Sequence, residues 1–199
     1  MAGSPTVGVL ALQGDVREHL AVLRGLGASA IPVRRPAELA DVAGLVIPGG
    51  ESSVMDKLVR GFGMQQPLRE RIGAGMPVYG TCAGLIMLAD TVLDAIDGQE
   101  SLGGFDLDVR RNAFGSQLES FETDLDIPEL GDPPVHAVFI RAPVVERVGP
   151  RARVLSALPD GRVVAVEQGP LLGTSFHPEM NGETRFHARF LQHVLASEH

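Results

Sequence analysis

The segment PVYGTCAGLIMLA, residues 77–89, places a short apolar strand, a glycine-flanked turn and a helix directly after one another. Residues 77–80 predict the strand, and residues 83–89 predict the helix. Gly80 and Gly84 leave room for a sharp corner between them, as in the G-x-S-x-G elbow of α/β enzymes. A strand that turns into a helix in this way is typical of parallel sheets covered by helices.

The alternation of strands and helices continues on both sides of this corner. Residues 7–12 form an apolar run that ends in Gln13-Gly14. Asp15 followed by Glu18 then predicts a helix-capping box. Further apolar runs cover residues 30–33, 44–47 and 171–175, and further helical stretches begin at Pro36, follow Pro67 and span 184–196.

This order of elements predicts an α/β protein with a flavodoxin-like three-layer fold and a mostly parallel central sheet. Residues 101–168 differ, because their short alternating runs are punctuated by Gly, Pro and Asp. They predict a small antiparallel insertion. No repeat or flexible linker divides the 199 residues, so we expect a single domain over residues 1–199.

Composition and charge exclude several classes of protein. Hydrophobic residues make up 44% and charged residues 21%, which is close to the usage of compact globular proteins. A balance of 17 Lys and Arg against 25 Asp and Glu gives a net charge of −8 without a basic run, which argues against nucleic-acid binding. The sequence shows neither a signal-peptide pattern nor an apolar run of about 18 residues. We therefore expect a cytoplasmic protein that does not bind a membrane.

Cys82 is the only cysteine, which excludes internal disulfides and argues against a thiolate-rich zinc site. We expect neither a metal nor a cofactor. At the corner of residues 80–84 its sulfur would lie near a helix N-terminus, which favours the thiolate. The backbone N–H of Ala83 would face an oxyanion formed there. Cys82 is therefore a candidate nucleophile; alternatively, the glycines only ease packing and Cys82 fills space.

His177-Pro178-Glu179 offers the groups that such a nucleophile requires. A thiolate that attacks an amide needs an acid to protonate the departing nitrogen, and a histidine oriented by a carboxylate is a common solution. In an extended segment residues i and i+2 face the same side, and Pro178 disfavours helix, so the two side chains can converge. The alternative is a loop histidine beside a solvated glutamate.

The other histidines lack this context, and we assign them no chemistry. They are His19, His136, His187, His193 and His199. The last three lie on or beyond the terminal helix, where we expect a solvated face.

The two motifs together match a known class of enzymes. The chain resembles class I glutamine amidotransferases through residues 80–84 and 176–179, and most closely the family of glutaminase subunits of pyridoxal 5′-phosphate synthase. The match covers nearly the whole chain. The narrower motifs are Leu12-Gln13-Gly14, Pro48-Gly49-Gly50-Glu51-Ser52, Arg111-Asn112-Ala113-Phe114-Gly115 and Phe139-Ile140-Arg141-Ala142-Pro143.

The resemblance implies a mechanism and a set of site residues. Cys82 would attack the glutamine amide, form a γ-glutamyl thioester and release ammonia, while His177 transfers protons and Glu179 orients it. The implied oxyanion donors are Gly50 and Ala83. The implied glutamine contacts are Gly50, Glu51, Ser52, Arg111, Ile140 and Arg141.

The resemblance also implies a partner, a synthase subunit that uses the ammonia to build pyridoxal 5′-phosphate within a hetero-oligomeric complex. Docking would stabilise an incompletely formed oxyanion hole near Gly49 and Gly50. Gln13 either supports this loop and senses the partner or caps the first strand, and both readings stay open. The alternatives are the glutaminase subunit of another amidotransferase, a cysteine hydrolase or peptidase of related fold, and a regulatory module with an inert pocket.

Overall fold

The computed structural model of the chain describes residues 5–111 and 120–198. The helices are α1 (Val16–Gly25), α2 (Pro36–Ala40), α3 (Ser52–Gly61), α4 (Gln65–Gly73), α5 (Ala83–Leu88) and α6 (Arg185–Ser197), with a 3₁₀ turn at Pro178–Met180. The strands are β1 (Thr6–Leu10), β2 (Ser29–Val33), β3 (Gly44–Ile47), β4 (Val78–Thr81), β5 (Ala89–Leu93), β6 (Phe105–Arg110), β7 (Ser120–Leu125), β8 (Val135–Ile140), β9 (Val144–Val148), β10 (Arg153–Ala157), β11 (Val163–Gln168) and β12 (Leu171–Thr174).

The main sheet has the strand order β2-β1-β3-β4-β12-β11-β9-β6-β5, with β10 also paired to β11. The five strands from β2 to β12 pair in parallel, whereas β12, β11, β9 and β6 pair antiparallel to one another. Strands β7 and β8 form a separate antiparallel pair. The predicted α/β class, the largely parallel sheet and the antiparallel insertion are therefore confirmed.

Helices cover both faces of the parallel strands, because successive strand residues point to opposite sides. Val46 joins the apolar cluster that contains Phe186 and Phe190 of α6 and residues of α1. Its neighbours Leu45 and Ile47 join the opposite cluster, which contains residues of α2, α3, α4 and α5. The outcome is a sheet between two helical layers.

The carboxyl ends of four parallel strands define one edge of the sheet. Strands β1, β3, β4 and β12 end shortly before Gln13, Gly49, Cys82 and His177, respectively. In open α/β sheets, ligands bind in the crevice outside such strand ends. Within the described residues, no helix combines the length and apolarity needed to cross a membrane.

The starts of two helices differ from the sequence-based expectation. The capping box at Asp15 and Glu18 is wrong, because the Asp15 side chain makes no capping hydrogen bond to α1. Helix α3 begins directly after the glycine pair and was not predicted. Its N-cap is Glu51, whose carboxylate accepts hydrogen bonds from the backbone N–H groups of Ser53 and Val54.

Candidate active site

A cavity of about 570 Å³ opens at the strand edge and brings most of the predicted site residues together. Its lining comprises Gln13, Asp15, Gly50, Glu51, Ser52, Cys82, Ala83, Ile86, Arg111, Ile140, Arg141, His177 and Met180. Gly49 and Glu179 lie behind this lining, in contact with residues that form it. The segment Asn112–Gly115 falls outside the described residues.

Cys82 occupies a strained corner between β4 and α5. Its φ is 51°, a conformation that residues with a side chain rarely adopt. Its backbone N–H donates to the Thr174 carbonyl at 2.8 Å, which ties the corner to β12. The thiol is 6% exposed. Strain of this kind is typical of functional sites, where the surrounding structure holds a residue in place.

The flanking glycines are sterically required for the corner. A Cβ atom on Gly84 would lie 2.0 Å from the Ile47 carbonyl oxygen, and one on Gly80 would lie 2.6 Å from the Gly84 backbone. Both contacts are far inside van der Waals distance and involve backbone atoms that cannot move aside cheaply. The two glycines therefore let helix α5 approach β3 closely and also shape the turn that carries Cys82.

We expect Gly84→Ala to lower the free energy of unfolding by about 1–3 kcal/mol or more, because the added methyl group overpacks the corner. Chemical denaturation of the purified variant measures the change. Gly61→Ala is the matched control, since Gly61 is also a helical glycine but a Cβ there meets nothing within 4 Å. Equal stability of the two variants would contradict the proposed steric role of Gly84.

His177 lies at the end of β12 with its ring buried in the cavity wall. Its backbone N–H donates to the Val138 carbonyl at 3.1 Å, and its ring Nδ1 lies 2.8 Å from Glu179 Oε1. The expected contact between the two side chains is present, although the expected extended segment is wrong. Pro178 starts a 3₁₀ turn instead, because a proline fits the first position of a helical turn.

The charge state of His177 follows from three neighbours. Burial disfavours the charged ring, but the interactions with Asp15, Cys82 and Glu179 outweigh burial and raise the pKa of His177 to about 12. Asp15 Oδ2 lies 3.4 Å from Nδ1, farther than the Glu179 oxygen at 2.8 Å. A protonated ring beside Cys82 provides an acid next to the sulfur.

The segment 13–15 holds the glycine pair from the opposite side of the cavity. The Gln13 side-chain oxygen accepts from the Glu51 backbone N–H at 3.0 Å. The Asp15 backbone N–H donates to the Gly49 carbonyl at 3.2 Å. A Cβ atom on Gly50 would lie 2.2 Å from the Gln13 oxygen. Gln13 therefore contacts the predicted oxyanion loop, as one of the two readings of this residue requires.

Glu51 and Arg111 form an ion pair inside the cavity. Arg111 Nη2 donates to Glu51 Oε1 at 2.8 Å, and the Arg111 side chain is 9% exposed. Burial opposes the Glu51 charge, but hydrogen bonds from Ser53 and Val54 and the Arg111 charge lower the pKa of Glu51. The Glu51 carboxylate is thus occupied by the α3 N-terminus and by Arg111, and it fixes the guanidinium in place.

The remaining predicted contacts also line the cavity. The Ile140 carbonyl oxygen lies 4.0 Å from Cys82 Sγ. Arg141 adopts a φ of 47° and is exposed. Ser52 is buried, and its hydroxyl accepts from Gln99 Nε2 at 3.0 Å. Met180, 51% exposed, also lines the cavity and was not predicted.

Sequence reasoning missed three residues around His177. Asp15 was interpreted as a helix cap, yet its carboxylate faces the His177 ring. His19 was assigned no chemistry, and it lies completely buried behind Glu179. The solvated face expected for His187 is wrong, because this ring is 0% exposed. Helical periodicity offered a signal, since His19 shares the buried face of α1 with Leu23.

Metal binding is not favoured by the residues nearest to His177. Among the described residues, Asp15, His177 and Glu179 have potential ligand atoms within 4.8 Å of one another. The His177 nitrogen nearest to both carboxylates already makes the hydrogen bond to Glu179, so a metal ion would displace that bond. We assign no metal to this group.

Known proteins resemble the chain over almost its full length. A protein named pyridoxal 5′-phosphate synthase subunit PdxT from Leifsonia xyli subsp. xyli is 73% identical over 194 residues, covering 98% of each chain. One of the same name from Clavibacter michiganensis is 68% identical, covering 96% of this chain and 91% of the relative.

Solved structures agree with this likeness. A crystal structure described as a glutamine amidotransferase is 46% identical, with a TM-score of 0.88 over 94% of this chain and 98% of that chain. A putative GMP synthase subunit from Thermoplasma acidophilum shares the fold alone, with a TM-score of 0.72 at 17% identity over 100% of this chain and 98% of that chain. A model of the SNO glutamine amidotransferase family matches residues 9–196. The chain therefore belongs to the SNO glutamine amidotransferase family.

Proposed function

We propose that this chain hydrolyses glutamine through Cys82, His177 and Glu179 and supplies the ammonia to the synthase subunit of a pyridoxal 5′-phosphate synthase. The chain acts over residues 1–199 as one glutaminase domain. The observation that carries the proposal is the placement of Cys82 and a carboxylate-bound His177 in the cavity that also holds Arg111. The names of the relatives support the choice of product.

The first half of the reaction forms a covalent intermediate. The Cys82 thiolate attacks the side-chain amide carbon of glutamine, and negative charge develops on the former carbonyl oxygen. In the active conformation, the backbone N–H groups of Ala83 and Gly50 stabilise that charge. His177 donates a proton to the departing nitrogen, the carbon–nitrogen bond breaks, and ammonia leaves behind a γ-glutamyl thioester on Cys82.

The second half restores the nucleophile. His177, now neutral, takes a proton from water as the water oxygen attacks the thioester carbon. The carbon–sulfur bond breaks, glutamate leaves, and Cys82 returns as a thiolate beside a protonated His177. Glu179 accepts the hydrogen bond from Nδ1 throughout and keeps that nitrogen protonated, so that Nε2 serves the reacting atoms.

Substrate recognition rests on the charged and polar cavity wall. The planar guanidinium of Arg111 suits the substrate α-carboxylate, because it can donate to both oxygens at once. Glu51 holds that guanidinium in place. The Glu51 carboxylate is hydrogen-bonded to the protein itself. Glu51 therefore acts on glutamine through its backbone and by holding Arg111 in place. Ser52, Ile140 and Arg141 complete the contacts around the substrate.

We expect Arg111→Lys to raise the KM for glutamine by about 10- to 100-fold and to change kcat by less than about threefold, because binding is lost equally in ground and transition states. Steady-state kinetics with the synthase subunit present give both constants. Arg147→Lys is the control, since Arg147 pairs with Asp106 and Asp108 and does not line the cavity. A fall in kcat with unchanged KM would exclude a binding role.

The partner would act on the loop that carries Gly50. This loop is tied to residues 13–15, and the apolar side chains of Ile140 and Met180 are exposed where the cavity opens. A synthase subunit that covers these side chains would exclude water and favour the conformation in which Gly50 N–H faces the oxyanion. Ammonia would then be released into the complex.

Glutamate release from glutamine tests the proposal, measured for the purified chain alone and with the synthase subunit. The expected result is hydrolysis that the synthase subunit stimulates. Peptide cleavage without glutamine hydrolysis would instead identify a cysteine peptidase. Absence of glutaminase activity under both conditions would overturn the proposal.

A further inference from the structure

Behind the proposed triad lies a buried pair of histidines that the mechanism does not use. His19 on α1 and His187 on α6 are both 0% exposed. His19 Nδ1 lies 2.8 Å from His187 Nε2. On its other side, His19 Nε2 lies 3.2 Å from the Thr81 hydroxyl and 3.6 Å from Glu179 Oε1. His19 thus contacts both the residue before the nucleophile and the carboxylate that orients His177.

Both histidine rings are neutral near pH 7. Burial, followed by unfavourable electrostatic interaction with His187 and His177, holds the pKa of His19 well below its ordinary value. Burial also lowers the pKa of His187 to about 4, against the opposing charge of Glu183. A neutral imidazole has one N–H donor and one bare acceptor nitrogen, so each ring must choose a tautomer.

The contacts select one tautomer for both rings. His187 Nδ1 is buried and has no hydrogen-bond partner within the described part of the chain. A bare acceptor there costs less than an unpaired N–H, which places the His187 proton on Nε2. That proton is donated to His19 Nδ1, so the His19 proton sits on Nε2. With its proton on Nε2, His19 also does not direct a nitrogen lone pair at the Glu179 carboxylate.

The structure assigns His19 as a positioning residue that directs its Nε2–H toward Thr81 and Glu179 and so holds the carboxylate against His177. The assignment rests on the proposed function. At 3.6 Å the contact with Glu179 is electrostatic, whereas the contact with Thr81 is a hydrogen bond. Glu179 Oε2 has no hydrogen-bond partner among the described residues. The orientation of the carboxylate therefore depends on Oε1, which faces His177 and His19.

Two near-isosteric substitutions of His19 separate this role from packing. In His19→Gln the amide nitrogen takes the place of Nε2 and can still donate toward Thr81 and Glu179. In His19→Asn the amide oxygen takes the place of Nδ1 and can still accept from His187, but the donor toward Glu179 is lost. His193→Gln serves as a remote control, since His193 pairs with Glu167 and neither residue lines the cavity.

Glutamine hydrolysis by the full chain with the synthase subunit is the first readout. We expect His19→Asn to lower kcat by about 10- to 100-fold and to leave KM within about threefold of the wild-type value. Losses of this size follow when the residues that orient metal-binding histidines are removed. His19→Gln should retain most of the wild-type kcat. Equal kcat values for His19→Asn and His19→Gln would overturn the assignment. So would decreases in kcat that merely parallel decreases in melting temperature.

A spectroscopic readout covers the case in which the variants do not fold. Nitrogen-15 NMR of the imidazoles in the wild-type chain should show neutral Nε2–H tautomers for His19 and His187 near pH 7. A protonated His19 or an Nδ1–H tautomer would overturn the assignment. Absence of Cys82-dependent glutaminase activity in the wild type would instead overturn the proposed function. The NMR measurement and the activity measurement therefore test the role of His19 and the proposed function separately.

Discussion

Replacing Cys82 with alanine is expected to reduce glutamine hydrolysis by about 10⁴-fold or more, to the level of the background reaction. In the proposed mechanism the thiolate forms the only covalent bond between protein and substrate, and no other cysteine exists in the chain to replace it. Glutamate release in the presence of the synthase subunit measures the loss. Because alanine is smaller than cysteine and fits the same corner, the variant should fold and still bind glutamine.

Cys82→Ser provides the matched control for size. A hydroxyl is a far weaker nucleophile than a thiolate near pH 7, so we expect this variant to be inactive as well. Thermal unfolding and glutamine binding of both variants should stay close to the wild type. Substantial hydrolysis by Cys82→Ala would show that the thiol only fills space and would exclude the covalent mechanism.

Glu179→Gln is expected to lower kcat by about 10³-fold, because the charge that orients and stabilises the His177 imidazolium is removed. Glu179 Oε1 makes the 2.8 Å contact with Nδ1, whereas the Asp15 carboxylate lies farther away at 3.4 Å. Asp15 therefore replaces only part of the lost interaction. Pre-steady-state kinetics show whether thioester formation or thioester hydrolysis is slowed more.

The pH dependence of Glu179→Gln gives a second signature. In the wild type the pKa of His177 is raised from 6.5 to about 12, so its proton stabilises the fold fully below pH 6.5, and this stabilisation disappears as pH rises towards 12. Loss of the carboxylate lowers the pKa of His177. The activity and stability of the variant should therefore decline at lower pH than those of the wild type.

Glu183→Gln is the control for this substitution. Glu183 lies four positions away, pairs with Arg185 and does not line the cavity. Its replacement should leave kcat and the pH profile near the wild type. A Glu179→Gln variant that resembles Glu183→Gln in both respects would contradict the orienting role of Glu179.

Local sequence patterns predicted the fold and the cavity residues at the strand ends, because these features depend on only a few neighbouring residues. The other predicted glutamine contacts were implied by the family resemblance. Alternating apolar runs and helical stretches define a parallel sheet, and the ends of its strands meet at one edge. Cys82, Gly50 and His177 follow such strands directly. Their convergence in one cavity is therefore a consequence of topology that the chain order already contains.

Residues that depend on contacts distant in sequence were harder to predict. His187 looked solvated from its place on the last helix, and only the packing of α6 against the sheet shows that it is buried beside His19. Asp15 looked like a helix cap because the pattern is local, whereas its carboxylate faces a ring 162 positions later. The 3₁₀ turn at Pro178 was also missed, because the fixed φ of proline fits both an extended segment and the first position of a helical turn.

Covalent labelling of the chain by a diazoketone analogue of glutamine is the decisive experiment for the role of Cys82. We predict one added label, located by tandem mass spectrometry on Cys82, with labelling slowed by free glutamine and accelerated by the synthase subunit. Cys82→Ala should remain unlabelled. A label on any other residue, or labelling of Cys82 that glutamine does not slow, would contradict the assignment of this cavity as a glutaminase site.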